Sequence, residues 1–361
     1  MIARLCCLLI LLLHFCLSPA QAQNAPKYSN EFLSIGVGAR SLGMAGSVVA
    51  SASDVTSGYW NPAGLVLGKG DLQIGLMHSE YFAGIAKYDY GAVAAPMDAT
   101  STAGVSIIRF AIDDIIDSTD LIDADGNINY DRLKSFSAAD YAFLFSYARQ
   151  SKKIEGLRLG GNVKIIHRKV GDFANAWGFG LDVGAQYQKD KWGFGAVGKD
   201  ITSTFNAWKY NTEELEDVFI QTGNEIPQNG LELTLPRLIL GINYRFNFGE
   251  RFSVLPEANL DFTFDGKRNV LVASNPVSVD PHFGVEASYR DFIFIRGGLG
   301  GIQQLEDFDG RKSWQTQPNF GVGIKIKSVS IDYALTNIGS SGSSLYSNIF
   351  SLKFAFFKQK K

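Results

Sequence analysis

Cysteine is confined to the first sixteen residues, as Cys6, Cys7 and Cys16. Disulfide scaffolds, thiol nucleophiles and thiolate metal sites are thereby excluded from everything downstream. Histidine is as scarce, with His14, His78, His167 and His282 the full set. The last three lie in alternating segments with no Gly-x-Ser-x-Gly frame beside them, so no catalytic residue, and no enzyme, is expected. No cofactor motif stands out either. After residue 22 no run approaches eighteen apolar residues, so a membrane-spanning helix is not expected. Charge is sparse and balanced: 19% of residues are charged and the formal net charge is −2, which argues against nucleic acid as a partner.

What the chain has instead is a period of two. In residues 156–169, Leu157, Leu159, Val163 and Ile165 take one side, while Arg158, Asn162, Lys164 and Arg168 take the other. Residues 237–248 repeat this with Leu238, Leu240, Ile242, Tyr244, Phe246 and Phe248 against Arg237, Asn243, Arg245 and Asn247. Successive strand side chains point to opposite faces, so each segment has one greasy and one wet surface. The pattern predicts fourteen strands, at 71–79, 86–96, 100–110, 137–149, 156–169, 177–188, 191–199, 235–248, 252–265, 281–290, 292–299, 317–326, 328–336 and 348–357. The gaps between them alternate between short and long. Such gaps suit an all-β transmembrane barrel of about fourteen antiparallel strands, with tight turns on one side of an outer membrane and loops on the other. An even strand count returns both termini to the periplasm and leaves the long loops extracellular.

The ends of the chain fit this destination. Arg4, an apolar run from Leu5 to Leu17 and Ala20-Gln21-Ala22 read as a signal peptide over residues 1–22. Residues 23–67 then form an N-terminal segment and 68–361 the barrel. The last strand, with Phe350, Leu352, Phe354 and Phe356 on one face, carries an aromatic-rich end.

Residues 31–67 do not alternate. Small residues dominate there, and glycines at 36, 38, 43 and 46 permit close backbone contact. A barrel of fourteen strands has a lumen wide enough to need filling, so this segment is expected inside it as a hatch or plug. Its run Gly38-Ala39-Arg40-Ser41-Leu42-Gly43-Met44-Ala45-Gly46, followed by Asp54 and Tyr59-Trp60-Asn61-Pro62-Ala63, resembles the amino-terminal signature of the PorV/PorQ family, in its PorV form. That family belongs to the wider FadL-like group of outer-membrane barrels. The resemblance implies a component of type IX secretion in Bacteroidetes-like bacteria. Its partners would be the translocon barrel, the C-terminal domains of secreted cargo, the surface attachment complex and outer-membrane lipid. FadL itself implies an alternative: transport of hydrophobic molecules through a lumen gated by the hatch.

Further expectations separate the two functions. Within 200–234, read as a long outer loop, Phe205, Trp208, Tyr210, Phe219 and Ile220 are candidates for a partner-binding surface, since aromatic anchors are over-represented at interfaces. The inward positions Arg158, Asn162, Lys164, Arg168, Arg237, Asn243, Arg245, Asp261 and Asp265 are polar, unlike a continuous apolar tunnel. They are expected to tie the hatch to the wall, Arg245 and Asp261 among them. Asp123, Asp125, Asn127, Asn129 and Asp131 form a calcium-like constellation, but they miss the EF-hand register and read first as a solvated acidic loop.

Overall fold

The computed structural model describes residues 29–358, apart from 83, 120, 123–125, 214–215, 217–218, 221–222, 224, 226, 307–308 and 338–345. The expected signal peptide lies outside the described residues, as do Asp123 and Asp125 of the calcium-like constellation.

Fourteen antiparallel staves form one closed sheet. They are β1 (Leu72–Tyr81), β2 (Ala86–Asp98), β3 (Ser101–Asp117), β4 (Lys134–Gln150), β5 (Leu157–Val170), β6 (Ala174–Lys189), β7 (Trp192–Lys199 and Thr204–Tyr210), β8 (Gly230–Thr234, Arg237–Tyr244 and Phe246–Phe248), β9 (Phe252–Thr263), β10 (Ser278–Tyr289), β11 (Ile293–Glu306), β12 (Lys312–Ile326), β13 (Val329–Asn337) and β14 (Tyr346–Phe356). Each stave pairs with the next. Closure comes from β1 against β14, with Leu72 opposite Phe356 and Glu80 opposite Asn348. Through its middle every stave is paired on both sides, which is what a sheet in hydrocarbon requires, while the outer ends of β3 and β8 pair on one side only.

The period of two explains why these segments form a barrel. Leu76, Val105, Phe145, Val163, Val285, Val322 and Phe350 point outward and are exposed. A soluble monomer rarely leaves so broad an apolar surface uncovered; on a closed barrel it is the surface that lipid covers. Residues of opposite parity, such as Asn162, Lys164, Asp182, Glu257, Arg296 and Asp332, are buried inside.

The expected staves match in number and place, but several reach further on the long-loop side. β3 runs to Asp117 rather than 110, and β11 to Glu306 rather than 299. Beyond the lipid both faces of a strand are wet, and alternation no longer marks it. A larger correction concerns 200–234. Phe205, Trp208 and Tyr210 are not on a loop but on the outer half of β7, paired with β6 on one side and β8 on the other. Asp200–Ser203 interrupts the stave as a bulge, with left-handed φ of 57° at Asp200 and 54° at Ser203, and this hides the strand from a periodicity reading.

Residues 31–67 pack within the barrel as short turns, among them the 3₁₀ helix Glu31–Ser34, α1 (Ala39–Gly43), α2 (Ser57–Trp60) and the 3₁₀ helix Pro62–Leu67. The segment meets the wall where the wall has glycine. A Cβ at Gly160 would lie 2.6 Å from the Ala63 nitrogen, and one at Gly284 would lie 2.7 Å from the Met44 carbonyl oxygen. At Gly298 a Cβ would overlap the Met44 carbonyl carbon, whereas at the neighbouring Gly297 it would meet nothing within 4 Å. Gly298→Val should therefore destabilise the folded barrel by about 1–3 kcal/mol, as overpacking does. Gly297→Val should be neutral. The temperature at which the folded, fast-migrating species is lost on a semi-native gel measures both.

Candidate functional site

The junction of inner segment and wall is where the polar residues of the barrel converge. Many residues of the runs Gly38–Gly46 and Tyr59–Ala63 make contacts there. The Gly38 N–H points to Met77 Sδ at 2.9 Å, and the Ala39 N–H donates to Ser351 Oγ at 2.8 Å. Gly43 rests on the backbone of Gly321, and Met44 is fully buried between Gly284 and Gly298. The Gly46 carbonyl accepts from Asn259 Nδ2 at 3.2 Å. Trp60 Nε1 donates to the Val37 carbonyl at 2.8 Å, and the Tyr59 hydroxyl donates to the Leu33 carbonyl. Asn61 Nδ2 bridges the carbonyls of Val49 and Ala185, at 2.9 and 3.0 Å, and its Oδ1 accepts from the Ala63 N–H. Pro62 and Ala63 lie against Gly160 and Gly184. Wall side chains return the bonds: Asn162 Nδ2 reaches the Gly58 carbonyl, Gln186 Nε2 those of Val49 and Ala52, and Glu257 Oε1 the Ala50 N–H.

Two residues of the segment enter a chain of charges. Arg40 contacts Glu286 at 2.8 and 3.0 Å, and Glu286 also holds Arg296 at 2.7 Å. Arg296 reaches Asp332 at 2.7 Å; Lys353 then contacts Asp332 at 3.3 Å and Asp54 at 2.7 Å. Three cations alternate with three anions, so the buried network is neutral and each charge has an opposite neighbour. Burial alone would raise the Asp54 carboxyl, but Lys353, Thr56 and Arg40 outweigh it and hold the group well below the usual carboxylate range. The tie between segment and wall exists, though not through the expected pair. Arg245 lines an open vestibule at the short-turn end, and Asp261 lines an inner cavity.

The other inward residues sort by place. Lys164 bonds Asp182 at 2.8 Å and also the Asp200 carboxylate turned inward by the β7 bulge. Arg168 binds Asp140 at 2.8 Å and lies 5.0 Å from the Trp208 ring. Asn243 donates to Glu257, and Asp265 pairs with Arg268. Arg158 is buried on β5.

Two small cavities flank the segment. One, of about 160 Å³, lies among Leu42, Val49, Trp60, Ile239 and His282; the other, of about 50 Å³, lies among Leu33, Leu144, Leu235 and Pro236. Lys199, Arg237 and Tyr59 line both. Lys199 is 6% exposed, and its Nζ sits 4.0 Å above the Tyr59 ring and 5.7 Å from that of Trp60. No carboxylate lies within 4 Å of it among the described residues. The direct neighbours of the Lys199 amine are therefore aromatic faces rather than a carboxylate.

The candidate partner surface looks different in three dimensions. Phe205 faces outward beside Phe179, whereas Trp208 turns inward and donates to Glu232 Oε2 at 2.6 Å, stacked on Tyr210. Phe219 is half-buried and Ile220 exposed, so the five do not form one patch. His78, His167 and His282 are far apart in the fold: His78 bonds Asp89 on the outer face, His167 stacks between Tyr141 and Trp177, and His282 lines the larger cavity.

No protein-family model matches the chain, and no curated protein matches it in sequence. Solved structures do match in shape. The toluene transporter TbuX of Ralstonia pickettii superposes with a TM-score of 0.53 at 16% identity, over 89% of this chain and 98% of that one. The monoaromatic hydrocarbon channel CymD gives 0.56 at 15%, over 90% and 99%. A FadL homologue of Pseudomonas aeruginosa gives 0.51 at 11%, over 88% and 97%. The chain thus has the FadL-like barrel fold.

Arg40→Ala should loosen the segment, because Glu286 keeps only one of its two cations. Single-channel recordings should show more frequent openings than the parent, with Arg40→Lys between the two. Since Asp54 titrates lower in the fold than the ordinary value of about 3.9, its anchoring is complete above that pH and is lost only as the pH falls through the depressed value. The parent should stay closed when the pH drops from 7 to about 4.5.

Proposed function

We propose that this barrel sits in the outer membrane and passes small hydrophobic molecules, the inner segment acting as its gate. The observation that carries the reading is the larger cavity between segment and wall, where Leu42, Val49, Trp60 and Ile239 form an apolar side and Lys199, Arg237 and Asp261 a charged one. This chemistry suits an amphipathic acid: an apolar body against Leu42, Trp60 and Ile239, and an anionic head against the buried cations. The smaller cavity abuts Asp200 and Pro236, where β7 bulges and β8 has a residue with no N–H to give the ladder. Support also comes from the shared fold, two of whose members are described as a toluene transporter and a hydrocarbon channel.

A second reading, a PorV-like carrier for type IX secretion, is favoured by a different observation. The cavity volumes, about 160 and 50 Å³, are below the roughly 300–1,000 Å³ usual for ligand pockets. Much of the run that resembles that family's signature fastens the segment to the wall, as Ala39, Arg40 and Asn61 do. A barrel kept shut would work through its rim, docking a cargo domain and the translocon.

Gentle extraction of the native protein, followed by mass spectrometry of everything that co-purifies, separates the two. Transport predicts lipophiles in the lumen, with acidic ones lost and neutral ones retained in Lys199→Met. Recovery of secreted proteins with a shared C-terminal domain, and no lipophile, would favour the carrier.

A further inference from the structure

Below the inner segment, at the short-turn end, the lumen opens into a blind vestibule of about 1060 Å³. Its floor is the neutral Arg40–Asp54 charge chain, which is already satisfied. The walls above that floor are not balanced. They carry six cations, Lys69, Arg245, Arg251, Arg290, Lys325 and Lys327, against two carboxylates, Glu250 and Asp291. Among the described residues none of the six makes an ion pair; Arg290 only lies 5.4 Å from the Tyr289 ring.

These cations are not a lipid-facing ring. Arg245 alternates with outward Phe246, and Lys325 lies between exposed Ile324 and Ile326, so both side chains belong to the inner face. The six are spread along a crescent: the end of β8, the β8–β9 and β10–β11 turns, the end of β12, the β12–β13 turn and the lead-in to β1. A small anion is held by groups that converge on one point. A crescent of separate cations around a deep cup fits several carboxylates spaced along an extended chain. Potential of one sign in a low-dielectric concavity is focused, which favours capture from solution.

We propose that the vestibule is a docking cup for an acidic, extended peptide segment of a protein on the short-turn side, the periplasmic side for barrels of this architecture. Its site is separate from the Lys199 cavities, so it stands whether or not the barrel transports a hydrophobic ligand.

The test uses the full chain in nanodiscs of phosphatidylcholine and a fluorescein-labelled octaglutamate peptide, read by anisotropy. Saturable binding is expected, weakening steeply with salt. The triple variant Arg245→Gln, Arg290→Gln, Lys327→Gln should lose about tenfold or more in affinity. Lys152→Gln with Lys153→Gln, on a short turn outside the vestibule, should bind as the parent does. All five side chains are exposed, and unchanged heat-modifiable mobility on gels confirms the fold. Equal losses in both variants, absence of binding, or selective retention of anionic phospholipid with no affinity for the peptide would each overturn the proposal.

Discussion

A segment of short, separate turns survives inside a closed barrel only if the N–H and C=O groups those turns leave over find partners there. Everything else in this molecule follows from how that condition is met. The wall offers amide and hydroxyl side chains at the needed heights: Ser351 to Ala39, Asn162 to Gly58, Gln186 to Val49 and Ala52, Asn259 to Gly46. Those bonds can form because the wall lacks side chains where the segment lies closest. Glycine inside a strand weakens it by removing packing, so its presence at inward positions is a cost offset by contact with the segment.

The charges act on top of this contact. A single buried ion pair is weak evidence for stability, since desolvation cancels much of the attraction. A chain of six with no net charge differs in one respect: removing Arg40 or Asp54 leaves Glu286 or Lys353 short of a neighbour. The network therefore penalises departure of the segment more than it rewards its presence. Such an arrangement fits a part that is either permanently shut or opened by a definite competitor, and it sets the floor of the vestibule at the short-turn end.

The barrel itself was legible because lipid imposes one apolar face on every stave, and fourteen segments could be counted from alternation alone. Legibility failed where lipid stops acting. The outer ends of β3 and β11 are wet on both faces, and the bulge at Asp200–Ser203 shifts the parity of Thr204–Tyr210, so a strand read as a loop. For the site, the signature from Gly38 to Ala63 pointed to the right segment but not to its partners. Glu286, Arg296, Asp332 and Lys353 are far away in sequence, and nothing local distinguishes them from other inward charges such as Arg245. One signal was available: Gly160, Gly284, Gly298 and Gly321 all share the parity of inward residues, and a run of glycines on the wet side of staves marks where something else fills the lumen.

The central claim is that residues 38–63 are held as firmly as the wall. Hydrogen–deuterium exchange of the barrel in lipid tests it most directly. Amides of Ala39, Gly46 and Ala50 should be protected to the same degree as those of β5 and β9. Exchange of the segment at the rate of the outer loops, while the staves stay protected, would contradict it.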